Sequence, residues 1–185
     1  MTIELAVRLF ALVRTALFAL LFMGAVGVYL PLYFGLLHRT ATLDLHLLGL
    51  APLLLGGYLS LRCAFEFAWR GLGTPAPFDP PVHLVLCGSY RYVRNPMYSA
   101  MAVFMIGEWL VWGTDLKGAL VYLAAYAVCV FLFVVGYEEP GLQKKFGEEY
   151  SIYRQNVPRF VPRLTPWDAA KAKSAAGSGG AAALL

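Results

Sequence analysis

Long apolar runs dominate the chain, and they set its architecture. Residues 15–37 carry no charge, 45–65 carry only Arg62 near their end, 97–112 carry only Glu108, and 118–137 carry none. A helix needs about 20 mostly apolar residues to cross the hydrocarbon core of a bilayer. The pattern therefore predicts an all-α, multi-pass transmembrane bundle of about four spans, at 15–37, 45–65, 97–113 and 118–137. The count rises to five if one of the long pieces is broken. Residues 3–13 are also helix-periodic, so the first helix can start earlier, with Arg8 and Arg14 snorkelling at the headgroups. The first run is too long for a cleaved signal peptide, and no small-residue cleavage site follows it.

Composition points the same way. Of the 185 residues, 59% are hydrophobic and 14% charged, against roughly 45–50% and about 25% in an average soluble domain. Disorder and disulfide-rich scaffolds are excluded, and nothing points to nucleic acid as a partner. Thirteen of the 15 Lys and Arg residues fall in segments 1–14, 62–96 and 138–185, leaving Arg39 and Lys117 for the two remaining turns. By the positive-inside rule both termini are cytoplasmic, in the inner membrane if the source is bacterial. Trp109 and Trp112 fit an interfacial aromatic belt on the far side, although chance explains the pair equally well. Residues 1–168 read as one integral-membrane domain, and 169–185 as a low-complexity tail.

Between the second and third spans lies a connector, 66–96, with Gly71, Gly73, Pro75, Pro77, Pro80 and Pro81. Irregular backbone near membrane depth survives only where protein buries it or a cavity borders it. The connector ends in Gly88-Ser89-Tyr90-Arg91-Tyr92-Val93-Arg94-Asn95-Pro96-Met97-Tyr98. Pro96 suits the first turn of a helix, whose free N–H groups favour an anion. Arg91 and Arg94 add positive charge, and the tyrosines add flat faces with hydroxyls. An anion site and a plain basic collar for lipid headgroups both fit.

A second cluster, Glu138-Glu139-Pro140, follows the fourth span directly. Two carboxylates at the negative end of a helix dipole call for a positive partner. Lys144, Lys145, Arg91, Arg94 and a bound organic cation are the candidates. A cytosolic helix over 140–156 then places Phe146, Tyr150 and Tyr153 on one face, most simply as a packing lid, ahead of Val157-Pro158-Arg159-Phe160-Val161-Pro162-Arg163. Glu108 lies inside a span, where snorkelling or pairing with Lys117 is the expected solution. His38, His46 and His83 have no metal-ligand spacing, and no GxSxG or His/Cys dyad is present.

Taken together, Tyr90 through Tyr98, Glu138-Glu139, Phe146-Gly147-Glu148-Glu149-Tyr150 and Val157-Pro158 resemble the integral-membrane methyltransferases. That group comprises the isoprenylcysteine carboxyl methyltransferases and, more distantly, the phospholipid methyltransferases. The resemblance implies S-adenosylmethionine as cofactor, held in a cytosolic pocket formed by the C-terminal half. It implies Val82, His83, Leu84, Val85, Tyr90, Asn95, Pro96, Met97, Tyr98, Glu138 and Glu139 as cofactor-binding residues. Arg94 is the expected catalytic residue, orienting an anionic headgroup. The expected partner is a lipid or other amphiphilic small-molecule acceptor drawn from the membrane. The chain departs from the family pattern at Asn95, where His is frequent, and at Ala100, where Gly is frequent. It also departs near Val134, where the isoprenylcysteine enzymes carry an Arg for the substrate carboxylate. Two other readings share the bundle: an NADPH-dependent sterol-type reductase, and a lipid-binding protein without catalysis.

Overall fold

The computed structural model describes residues 3–37, 43–72 and 81–168. Helices dominate these residues: α1 (Ile3–Met23), α2 (Leu30–Tyr33), α3 (Leu43–Gly71), α4 (Pro96–Trp112), α5 (Leu116–Phe133) and α6 (Glu139–Asn156). A π-helical turn, Gly24–Tyr29, joins α1 to α2, and another, Val134–Glu138, joins α5 to α6. A 3₁₀ turn, Gly88–Arg91, precedes α4. The prolines at 75, 77 and 80 and the tail 169–185 lie outside the described residues.

Three continuous helices, Leu5–Tyr33, Asp44–Gly71 and Leu116–Asn156, are long and apolar enough to cross a bilayer. Their outward side chains are bare hydrocarbon: Leu20, Leu21, Leu54, Val121 and Leu132 are all more than 60% exposed. Only a lipid surround makes that arrangement tolerable, so this is an integral membrane protein. The expected third span, α4, has 17 residues. At 1.5 Å per residue that is about 26 Å, slightly short of a full crossing.

Helix α4 turns most of its surface inward and forms the centre of the bundle. Pro96, Met97, Ala100, Met101, Met105, Gly107, Glu108 and Trp109 are all buried. Its closest neighbour is α3, and small residues make the approach possible. A Cβ on Gly56 would overlap the backbone N of Phe104 and stand 2.8 Å from the Ala100 carbonyl oxygen. A Cβ on Gly107 would overlap the backbone N of Leu53. The two backbones thus touch directly, as membrane helices do where packing rather than hydrophobicity drives association.

This central placement corrects two expectations. Glu108 neither snorkels nor pairs with Lys117. It is 3% exposed, and its Oε2 has no hydrogen-bond partner among the described residues. It lies on the inward face of α4 between the buried Gly107 and Trp109, which leaves the carboxylate no path to the headgroups. Trp109 is likewise no belt residue: it is buried against Met105, Ala119 and Tyr122, while Trp112 alone of the pair is exposed.

Helix α5 packs lightly, with only Ala119 and Val130 buried. Two tyrosine hydroxyls tie it to the bundle, Tyr122 donating to the Val26 carbonyl (2.6 Å) and Tyr126 to the Tyr98 carbonyl (3.0 Å). Beyond α5, the chain bends at Gly147 (φ 53°, ψ −122°). That bend turns Tyr150 and Tyr153 inward, onto Val157 and Trp167.

Residues 157–167 then run as a strap beneath the start of α4. The backbone N–H groups of Arg94 and Asn95 donate to the carbonyls of Pro158 and Arg159 at 2.8 and 3.2 Å. The Ser99 hydroxyl donates to Phe160, and the N–H groups of Arg163 and Trp167 donate to Tyr92 and Arg91. Arg91 returns the bond, its Nε reaching the Trp167 carbonyl at 2.6 Å.

Candidate functional site at the helix ends

A cavity of about 840 Å³ opens where α4 begins and α5 passes into α6. Its size suits a small-molecule ligand, for which sites of roughly 300–1,000 Å³ are usual. Phe18 and Phe22 of α1, Val26 of the following π turn, and Tyr122, Tyr126, Cys129 and Phe133 of α5 line the cavity. The start of α4, the 3₁₀ turn and the inward tyrosines of α6 close the end nearest the strap.

The adjacent carboxylates part company here. Successive residues of a helix point about 100° apart, so one turn serves two environments. Glu138 faces the cavity, where the Tyr98 hydroxyl donates to its Oε2 at 3.2 Å. No salt bridge reaches Glu138 from the described residues. Glu139 faces the strap and is 5% exposed. Its Oε1 accepts from Arg94 Nη1 and Arg159 Nε, both at 2.7 Å, and its Oε2 accepts from Arg159 Nη2 at 3.0 Å. Of the cations weighed from sequence, Arg94 is the one used, and Arg91 is spent on Trp167. Arg159, which was not among them, is the second partner.

Arg94 is fixed on several sides. Its Nε donates to the Val157 carbonyl at 2.9 Å, and Nη1 also reaches the Tyr150 hydroxyl at 3.3 Å. Its Nη2 has no hydrogen bond among the described residues, and the side chain borders the cavity. Tyr90 is 7% exposed beside Phe67, their ring centroids 6.1 Å apart. Burial pushes its phenol well above the ordinary value, so it offers a neutral aromatic face at any physiological pH. The Glu139 hydrogen bond, in turn, raises the Arg159 guanidinium.

Of the residues expected from sequence, Leu84, Val85, Tyr90, Arg94, Asn95, Pro96, Met97, Tyr98 and Glu138 meet around this one cavity. Val82, His83 and Glu139 do not border it. Val82 is 55% exposed, and the N–H groups of Val82 and His83 turn back to the Gly71 carbonyl. Sequence reasoning missed Tyr122, Tyr126 and Cys129. Their i, i+4, i+7 spacing puts them on one helical face, and that stripe in an otherwise aliphatic span was the available signal.

The Tyr153 hydroxyl donates to the Tyr90 carbonyl at 2.7 Å, with both residues buried. Tyr153→Phe orphans that carbonyl. It should cost about 1–2 kcal/mol and lower Tm by roughly 2–6 °C in detergent, as thermal unfolding would report.

The phospholipid methyltransferase family model matches residues 45–149, more than half of the chain. The protein belongs to the phospholipid methyltransferase family. The match runs from α3 to the inward turn of α6, and so takes in Glu66, Arg94, Tyr98, Glu138 and Glu139. Among curated relatives of this family member, "Protein-S-isoprenylcysteine O-methyltransferase B" of Arabidopsis thaliana is 33% identical over 82 residues. Those residues are 43% of this chain and 39% of the relative, so the chain spans about two fifths of the relative's length. No solved structure matches the chain. Among the described residues, no group of three His, Cys, Asp or Glu side chains could hold a metal ion.

Proposed function

We propose that this member of the family transfers a methyl group from S-adenosylmethionine to an amphiphilic acceptor taken from the bilayer. The observation that carries the reading is Glu138: a carboxylate facing the cavity, steadied by Tyr98, with no salt bridge from the described residues. Charge placed that way favours a cationic guest, and Tyr90, Tyr98 and Tyr126 add ring faces that suit a sulfonium. The first turn of α4 supplies unpaired N–H groups for a carboxylate. Leu84, Val85 and Met97 offer an apolar slot for a purine.

When bound, S-adenosylmethionine supplies the activated methyl; the protein's own work is alignment and exclusion of water. Tyr150 and Tyr153, pinned by the strap, shield the end of the cavity away from the bilayer. Arg94 orients an anionic headgroup through Nη2, while Glu139 holds the rest of its guanidinium. The channel along α5 receives the acceptor's hydrocarbon. No cation stands between residues 118 and 137, which argues against a carboxylate clamp from α5 and leaves the acceptor class broad. In this reading α4 completes a four-span bundle with both ends in the cytosol.

Isothermal calorimetry with S-adenosylhomocysteine in detergent tests the proposal. Saturable binding is expected, weakened roughly 10- to 100-fold by Glu138→Ala, the scale of one charge-assisted contact. Absence of binding to the wild-type protein, or unchanged affinity in the variant, overturns it.

A further inference from the structure

Glu66, on the last turns of α3, does not border the cavity, yet one oxygen of its carboxylate is spent on the turn that does. Its Oε2 accepts the Ser89 backbone N–H at 3.0 Å. Its Oε1 holds Arg62 Nε at 3.0 Å, one turn back on the same helix. The Glu66 side chain is only 13% exposed, whereas that of Arg62 is 45% exposed. The arginine therefore adds little energy by itself and serves to aim the carboxylate.

The receiving turn is shaped for this contact. Gly88 has φ +55°, and a Cβ there would overlap the Glu66 carboxylate carbon and Oε1. Backbone and carboxylate thus meet where no side chain fits. The N–H groups of a 3₁₀ turn's first residues lack partners within the turn, and Glu66 takes one of them. Two residues on, Tyr90 borders the cavity, and its carbonyl is held by Tyr153. The cavity-facing ring is thereby fixed from two sides: α6 secures its carbonyl and α3 secures the start of its turn.

We propose that Glu66 is a positioning residue for the cofactor wall: through the Ser89 N–H it sets the Gly88–Arg91 turn and hence the Tyr90 ring. The proposal rests on the reading of the cavity as the S-adenosylmethionine site. It is tested by calorimetry with S-adenosylhomocysteine and by thermal unfolding, on the full-length protein in detergent. Glu66→Ala should weaken binding about 10-fold. Glu66→Gln, which keeps an oxygen acceptor for Ser89, should stay within about threefold of wild type. Ser89→Pro removes the donated N–H and should reproduce the alanine result with Glu66 intact. A purely structural role would instead lower Tm in step with affinity; here Tm should move by less than about 3 °C in Ser89→Pro. If the wild-type protein binds S-adenosylhomocysteine and both Glu66→Ala and Ser89→Pro bind equally well, the positioning role is overturned. A loss in Glu66→Gln as large as in Glu66→Ala overturns it too, because charge and not the hydrogen bond would then matter. A wild-type protein that does not bind at all overturns the function proposed above and not this contact.

Discussion

Glu139→Ala should cost about 3–5 kcal/mol, the usual penalty for removing one partner from a buried ion pair. The carboxylate accepts three hydrogen bonds from two guanidiniums, and its side chain is 6% exposed. Without it, Arg94 keeps a full positive charge at 8% exposure, with only a carbonyl and a phenol for company. Arg159, at 29% exposure, can turn toward water, so Arg94 bears most of the loss. The strap, the start of α4 and α6 meet at this carboxylate, so all three should loosen together. Thermal unfolding followed by tryptophan fluorescence measures the effect, since Trp167 sits in the strap's core. Arg159→Ala should cost visibly less than Glu139→Ala. Equal losses would mean that the exposed arginine, and not the buried one, governs the cluster.

Gly107→Ala is the second large effect, and it acts at the opposite end of the bundle. The added methyl would overlap the Leu53 backbone N and lie 2.5 Å from its Cα and 2.8 Å from its Cβ. A flexible side chain could swing away, but a neighbouring helix backbone cannot, so α3 and α4 must separate. Overpacking of this kind costs about 3 kcal/mol. Separation would also shift α4 as a rigid rod and carry Tyr98 with it, so ligand affinity should fall alongside Tm. Gly141→Ala supplies the contrast: nothing lies within 4 Å of its Cβ position, and the helix should gain up to about 1 kcal/mol from the better helix former. If the two alanines behave alike in thermal unfolding, the α3–α4 contact is not as close as described.

Helical content and membrane residence were legible in the sequence because each rests on local pattern, whereas the meeting of residues 84–98 with Glu138 was implied by the family resemblance. Charge-free runs announce spans, Pro96 announces a helix start, and paired acids after an apolar run announce a site needing cations. What stayed hidden depends on direction in space. Adjacent glutamates look equivalent on paper, and only helical rotation sends Glu138 to the cavity and Glu139 to Arg159. Glu108 beside a turn looks able to reach water, and only the central position of α4 denies it. The strap was visible as a Val-Pro-Arg segment but not as the partner of residues 91–99, since 61 to 76 positions separate the contacts. Glu66 drew no notice because its hydrogen bond to a distant part of the chain is to a backbone N–H, which leaves no trace in residue identity.

That separation has a consequence for how the protein is made. Residues 91–99 emerge during synthesis well before 157–167, and until then Arg94 and Asn95 lack the carbonyls that hold them. Contacts between distant parts of a chain form late, since loop closure must come first. The bundle can therefore insert before its cavity is closed, and the closure is completed only when residues 157–167 arrive.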